Sequence, residues 1–350
     1  MSETVKPSEL DRNVVAALQL NGRAPWKQVA RAIEANESTV ARRGQQLVDS
    51  RLVGVTGVLD HLRCGLGISL MVRLRCRPGT ASSVARALAD LSVTRFVTVV
   101  TGSIDVVAEF VVADHRDITR VLAEELPGRD DVVETESMVV VRKFSAFEEW
   151  DTGLLGPRAS ALLRPEGIPS GHREWQETEQ LTEQEFAIAA TLAADGRATY
   201  AQIAAEVGVS ESTAARRVES LVRRGCLRFR TLFEAPLIGL DVEFMQWFTV
   251  EPSELENVGV RLAAEPSTRY VSATTGRFNL CLHGVLAGYG DLYHYMTAVI
   301  GALPGVRTAD MTLQARTLKR AWIHINPDGT RDPDTRNPHL TRPDPREHTT

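Results

Sequence analysis

Residues 11–52 read DRNVVAALQLNGRAPWKQVARAIEANESTVARRGQQLVDSRL, and residues 185–226 read EFAIAATLAADGRATYAQIAAEVGVSESTAARRVESLVRRGC. At this offset of 174 the two stretches align without a gap, and 15 of the 42 paired positions are identical. Gly22-Arg23-Ala24 matches Gly196-Arg197-Ala198, Glu37-Ser38-Thr39 matches Glu211-Ser212-Thr213, and Ala41-Arg42-Arg43 matches Ala215-Arg216-Arg217. The same offset carries Arg95 onto Arg269 and Thr101-Gly102 onto Thr275-Gly276; after three inserted residues, Leu126-Pro127-Gly128 corresponds to Leu303-Pro304-Gly305. Self-similarity at a fixed spacing marks a repeated unit. The 350 residues are therefore expected to be two tandem copies of one two-part module.

The first part of each copy is helical. Val14 and Leu18 fall at i and i+4, Gly22-Arg23 breaks the pattern, and Val29, Ala30 and Ile33 resume it. A third helix opens at Asn36 or Ser210, residues suited to capping a helix start. In the second copy its apolar face is Ala214, Val218, Leu221 and Val222. Opposite stand Ser212, Thr213, Arg216 and Arg217, with Ser38, Thr39, Arg42 and Arg43 as first-copy counterparts. Hydroxyls and guanidiniums are the groups that reach phosphate oxygens and guanine edges, so these eight residues are the expected DNA contacts. A solvated helix face would look similar, but it would not need to recur at the same positions twice. Helix-turn-helix domains are expected over 8–56 and 181–231. Residues 210–230 hold six Arg against two Glu, whereas 36–53 hold three Arg against two acids. The overall charge of −5 excludes a general basic coat but not local basic faces.

The second part alternates strands and helices. Residues 67–75, 96–101, 104–112 and 132–141 read as strands, with helices over 81–91 and 115–126. The β-α-β-β-α-β order is that of a ferredoxin-like sandwich, repeated over 242–319. The expected fold class is α+β, with sandwich domains over 63–145 and 236–323. At the hairpin Thr101, Gly102, Ser103 and Asp105, glycine permits a tight turn. A carboxylate beside free amides there suits an amino acid, whose ammonium and carboxylate need opposite partners. The second hairpin has Thr275, Gly276, Arg277 and Asn279, so the acid is absent from it. Between the copies, residues 146–180 read as a solvated acidic linker, with three Arg against seven acids over 147–180. Residues 326–350, with five Pro, read as a disordered tail.

The 43% apolar and 24% charged composition suits packed domains, and no apolar run approaches the ~18 residues of a membrane helix. The first residues lack a secretory pattern, so a cytoplasmic protein is expected. The four cysteines are scattered and read as reduced core thiols, with no metal or cofactor implied. Asp130 with Asp131, or His283 with His294, are acid and imidazole pairs without accompanying catalytic spacing, and Tyr289, Tyr293 and Tyr295 read as packing residues. No enzyme activity is expected.

Helix-turn-helix followed by β-α-β-β-α-β resembles the Lrp/AsnC (feast/famine) family of transcriptional regulators. The carrying motifs are Gly22-Arg23, then Ser38-Thr39-x-x-Arg42-Arg43-x-x-x-Leu47, then Thr101-Gly102-x-x-Asp105, with their counterparts in the second copy. The resemblance implies a regulator that binds double-stranded DNA, with sandwich domains that pair and hold a small effector, commonly an amino acid. One module per chain is usual, so two imply an intramolecular pseudo-dimer, with further homo-oligomers typical of the family. Gly44 stands where Val218 packs, and Glu34 where Gly208 turns. Both departures point to a weakened first DNA-binding unit. An adaptor that senses a ligand or binds a protein, with one degenerate unit, is the alternative reading.

Overall fold

Side-chain caps start five of the six helices that build the two helix-turn-helix units in the computed structural model, which describes residues 7–126, 129–164 and 178–332. Ser8 and Thr182 form reciprocal capping boxes with Asp11 and Glu185, satisfying amides that a helix start leaves open. The first unit is α1 (Glu9–Leu20), α2 (Trp26–Ala32) and α3 (Glu37–Asp49), followed by β1 (Gly54–Leu59). Then come β2 (Ile68–Cys76), α4 (Ala81–Asp90), β3 (Thr94–Thr101), β4 (Val106–Val112), α5 (His115–Arg120) and β5 (Val132–Ser145). A short α6 (Pro157–Leu163) precedes the second unit, α7 (Glu183–Ala194), α8 (Tyr200–Val207), α9 (Glu211–Arg223) and β6 (Leu227–Leu232). The chain closes with β7 (Val242–Val250), α10 (Leu255–Ala263), β8 (Thr268–Thr274), β9 (Leu280–Leu286), α11 (Gly290–His294), β10 (Val306–Arg320) and β11 (Ile323–His324).

Within each half the strands lie side by side in the order β3-β4-β2-β5 and β8-β9-β7-β10, every pair antiparallel. Side chains alternate across a strand, and β2 shows the outcome. Leu70, Val72 and Leu74 pack with Val84 and Leu88 of α4, whereas Met71 joins Met138, Met245 and Trp247 in a core shared by both halves. The fourth strand of each half reaches the other: β5 pairs with β8, and β10 with β3. Eight strands therefore close on themselves, and β11 hangs on β10.

Register exposes an approximate two-fold. The pairs Val140–Thr274, Arg142–Ala273, Lys143–Ser272 and Ser145–Val271 become, on moving each partner by 174 positions, Gln314–Val100, Arg316–Val99, Thr317–Thr98 and Lys319–Val97, and all eight are present. The ribbon joining the DNA-binding units obeys the same rule, since Gly54 opposite Leu232 maps onto Arg228 opposite Val58.

The segment expected as a solvated linker departs from that reading over its first part. Phe147, Trp150, Leu155 and Leu163 are buried, three of them against the first helical unit. Gln19 Nε2 donates to the carbonyls of Phe147 and Trp150, Asn21 to Leu163 and Gln28 to Leu162. Counting charge over the segment hid four apolar anchors. Residues 165–177 lie outside the described residues. So does most of the expected tail, from 333 onward; before it, residues 326–332 form an ordered turn, with Asn326 accepting from Gly329 and Arg331 bridging to Ile325.

Candidate nucleic-acid interface and effector site

The third helix of each unit presents the expected face. On α9, Ala214, Val218 and Leu221 are buried, Ser212 and Arg216 are exposed, and Thr213 and Arg217 are half-buried. On α3 the same pattern holds, with Val40, Gly44 and Leu47 inside, Ser38 and Arg42 exposed, and Thr39 and Arg43 half-buried. Ser210 Oγ accepts from the Thr213 amide and contacts the hydroxyls of Ser212 and Thr213. Asn36 accepts from Ser38 and Thr39. Both helix starts thus group hydroxyls around a capped first turn on the exposed face.

Arg43 and Arg217 part company. Arg43 donates from Nε and Nη2 to both carboxylate oxygens of Asp11, at 2.9 and 2.7 Å. Burial raises the Asp11 pKa, but the bonds from Arg43 and Ser8 outweigh it and hold the carboxyl below its ordinary value. Glu185, which corresponds to Asp11, takes Arg224 instead at 2.9 Å, and the buried Nε of Arg217 has no hydrogen-bond partner. Four guanidiniums were expected to face DNA alike, yet Arg43 is committed to its own unit.

The packing that Gly44 was expected to lose is supplied by its neighbour. A β-carbon at Gly44 would lie 2.3 Å from the Trp26 ring. Trp26 corresponds to Tyr200 and Gly44 to Val218, so the larger ring goes with the smaller helix residue. Glu34 does carry a cost, since it adopts φ 53° where Gly208 has φ 73°.

Another motif identical in both copies, Gly-Arg-Ala, faces the other unit. Arg23 donates to the carbonyls of Gly196 and Ala198, at 2.6 and 3.0 Å, and Arg197 to those of Gly22 and Ala24, at 2.5 and 3.0 Å. Each guanidinium also stacks on an aromatic ring, Arg197 on Trp26 at 4.4 Å and Arg23 on Tyr200 at 5.3 Å. Gly22 and Gly196 are required because Val55 approaches within 2.7 Å of where their β-carbons would be. The identity across copies was legible, but not that it joins them.

At the hairpins, Thr101, Gly102, Ser103, Thr275, Gly276 and Arg277 are exposed. The carboxylate expected to meet an ammonium is engaged elsewhere: Asp105 Oδ2 accepts from the Cys76 amide at 2.7 Å. Asn279 makes the same bond to the Val250 amide at 2.8 Å and adds a donor bond to the Val250 carbonyl at 2.7 Å. Loss of the acid therefore costs the second hairpin nothing, because both side chains pin a turn to the end of a strand. Between the hairpins lies Arg73, buried beneath Trp247 and Phe278, with Glu136 of one half at 2.7 Å and Asp310 of the other also bonded to it. Sequence reading passed over it, because its position corresponds to Trp247 and so breaks the repeat. Of the residues weighed for catalysis, His283 is buried in the core and His294 is exposed, while Tyr289 and Tyr293 are exposed and Tyr295 buried.

Comparison with known proteins adds names to this geometry. Residues 8–48 and 181–222 each match the AsnC-type helix-turn-helix domain, and residues 69–149 match the Lrp/AsnC ligand binding domain. An uncharacterized HTH-type transcriptional regulator of Pyrococcus abyssi is 25% identical over 140 residues, 40% of this chain and 89% of the relative. The HTH-type transcriptional regulator FL11 of Pyrococcus horikoshii is 26% identical over 38% of this chain and 89% of its own length. Among solved structures, the siroheme decarboxylase NirDL superposes with a TM-score of 0.58 over 89% of this chain and 92% of its own, at 15% identity, a likeness of fold alone. The chain thus carries, in order, the two domain types of the Lrp/AsnC family of helix-turn-helix transcriptional regulators, the helix-turn-helix domain twice.

Proposed function

We propose that the chain is a sequence-specific operator-binding regulator in which two helix-turn-helix and ferredoxin-like modules, fused in tandem, act as an intramolecular pseudo-dimer. The carrying observation is the pair of recognition helices, related by the approximate two-fold, that present Ser38, Thr39 and Arg42 on one and Ser212, Thr213, Arg216 and Arg217 on the other. In this reading Arg42 and Arg216 reach bases or phosphates directly, and Arg43 positions α3 through Asp11. A small effector, such as an amino acid, modulates binding at the exposed hairpin residues Thr101, Gly102, Ser103, Thr275, Gly276 and Arg277, with Asp105 and Asn279 holding the hairpins in place. Further assembly of pseudo-dimers follows the family habit. The packing of Trp26 on Gly44 removes one of the two reasons for reading the first unit as degenerate and so weighs against the adaptor alternative.

The test is an electrophoretic mobility shift with the region upstream of the chain's own gene. A complex that weakens steeply with salt is expected. Arg216→Ala and Arg42→Ala should each weaken it by about tenfold or more, whereas Asp11→Asn should act on the first unit alone. Equal binding by the Arg42→Ala/Arg216→Ala double variant would sink the assignment.

A further inference from the structure

A cavity lies away from the hairpins, between the end of recognition helix α9, the loop after β1 and the outer part of β5. Its volume is about 690 Å³, the size of a site for a drug-sized molecule rather than for a free amino acid. One wall is apolar, with Val58, Ile68 and Val139. Arg63, Arg223, Arg224 and Arg228 stand on another; of the seven Arg and Lys that line the space, Arg63 and Arg224 pair with Glu179, Arg95 with Glu109 and Arg142 with Glu256, whereas no such ion pair engages Arg228 among the described residues. Asp60, also in the lining, is paired with Lys143 at 3.3 Å. Six side-chain atoms of its lining residues are buried without a hydrogen-bond partner, among them Arg228 Nη1 and His61 Nε2, and His61 is only 2% exposed. Buried polar groups are nearly always satisfied, so unpartnered ones lining a roomy cavity are groups that a bound molecule or water would satisfy.

The two-fold supplies a control inside the same molecule. The corresponding position in the other half keeps the apolar wall and the acid but not these polar groups. Gly54 stands where Arg228 does, Ala235 where His61 does, Leu237 where Arg63 does, and Ser50 where Arg224 does. It is also filled from within. The Arg331 guanidinium lies 1.7 Å from where a β-carbon on Gly54 would be and donates to the Val53 carbonyl at 2.7 Å. Gly329 packs on Glu234, the counterpart of Asp60. Among the described residues, one half is plugged by its own chain, and the other is open and carries Arg228 in place of Gly54.

We infer that the cavity beside α9 is a ligand site, one per chain, for an amphipathic anion: a molecule with an apolar or planar body carrying a carboxylate or phosphate that the Arg228 guanidinium pairs. The inference stands on the cavity and not on the regulator reading, and its test does not use DNA.

Titration calorimetry of the full-length chain with 1-naphthoate, 1-naphthyl phosphate and 1-naphthalenemethanol, which share a ring system and differ in head group, decides it. Both anions should bind saturably at one site per chain, with the neutral alcohol at least about tenfold weaker. The stronger of the two anions identifies the head group. Arg228→Gln should weaken the anions by about tenfold and leave the alcohol unchanged. Ile68→Trp, which fills the apolar wall, should abolish all three. Arg228→Gln alters charge with little change of shape, so it remains decisive if Ile68→Trp fails to fold. Equal binding of the alcohol, full binding by Arg228→Gln, no binding of either anion, or two sites per chain would each overturn the proposal.

Discussion

Glu34 shows what a single position can cost. It holds the left-handed turn between α2 and α3 that Gly208 holds between α8 and α9, and the flanking bonds are the same, Ala35 to Ala30 and Val209 to Ala204, each 3.0 Å. Geometry is preserved at the expense of a β-carbon in a crowded conformation. Glu34→Gly is therefore expected to stabilise the chain by about 1 kcal/mol, net of the added freedom of glycine when unfolded, as a higher denaturant midpoint. An unchanged or lower midpoint would show that the strain is relieved elsewhere. Residues also trade places between the halves. Arg95 pairs with the buried Glu109 of β4 at 2.6 Å, whereas Arg269 pairs with Glu243 of β7 at 3.1 Å. The position of Glu109 is His283 in the second half, and that of Glu243 is Ser69 in the first. The guanidinium kept its acid while the acid moved to another strand, so matching single positions gives the wrong partner.

Elements show the same compensation in volume. Trp26 on α2 packs against Gly44 on α3, at the positions that the smaller Tyr200 on α8 and the larger Val218 on α9 hold in the second unit. Gly44→Val alone should force the Trp26 ring out and cost about 1–3 kcal/mol, although it removes a helical glycine. Adding Trp26→Tyr should recover most of that loss, so a denaturation cycle over the two positions is expected to be strongly non-additive. Independent effects would mean that the ring and the glycine do not share one space. Helix starts, the turn after Asn21 and the strand order could all be read from the chain, because they depend on caps, periodicity and glycine, which act over a few residues. The contacts that join the copies could not. Arg23 and Arg197 bond to carbonyls 173 to 175 residues away, and nothing near them in the chain announces it. The same reason explains the linker: Phe147 and Trp150 look isolated until α1 is packed against them. At the hairpin, an acid beside a glycine looked like a ligand group because the amide that it binds, Cys76, lies 29 residues earlier.

Across the whole molecule, both halves carry a histidine that folding keeps neutral. Burial depresses His61 and His283 to about 3, each from an ordinary 6.5. Unfolding lets them take up protons, so stability is full above pH 6.5 and falls as pH drops toward 3. The expected slope is about 1.4 kcal/mol per pH unit for each histidine near the middle of that window. A urea-midpoint series against pH should show it, and His283→Gln should remove about half; a flat profile between pH 6 and 4 would contradict the burial. Covalent fusion of the two halves has a further consequence. In a homodimer every substitution is made twice, so a change that opens a cavity on one side opens it on both. Here each side is encoded separately. The turn at 326–332 could seal one side while arginines gathered at the other, and a scaffold with two equal faces became free to evolve a front and a back.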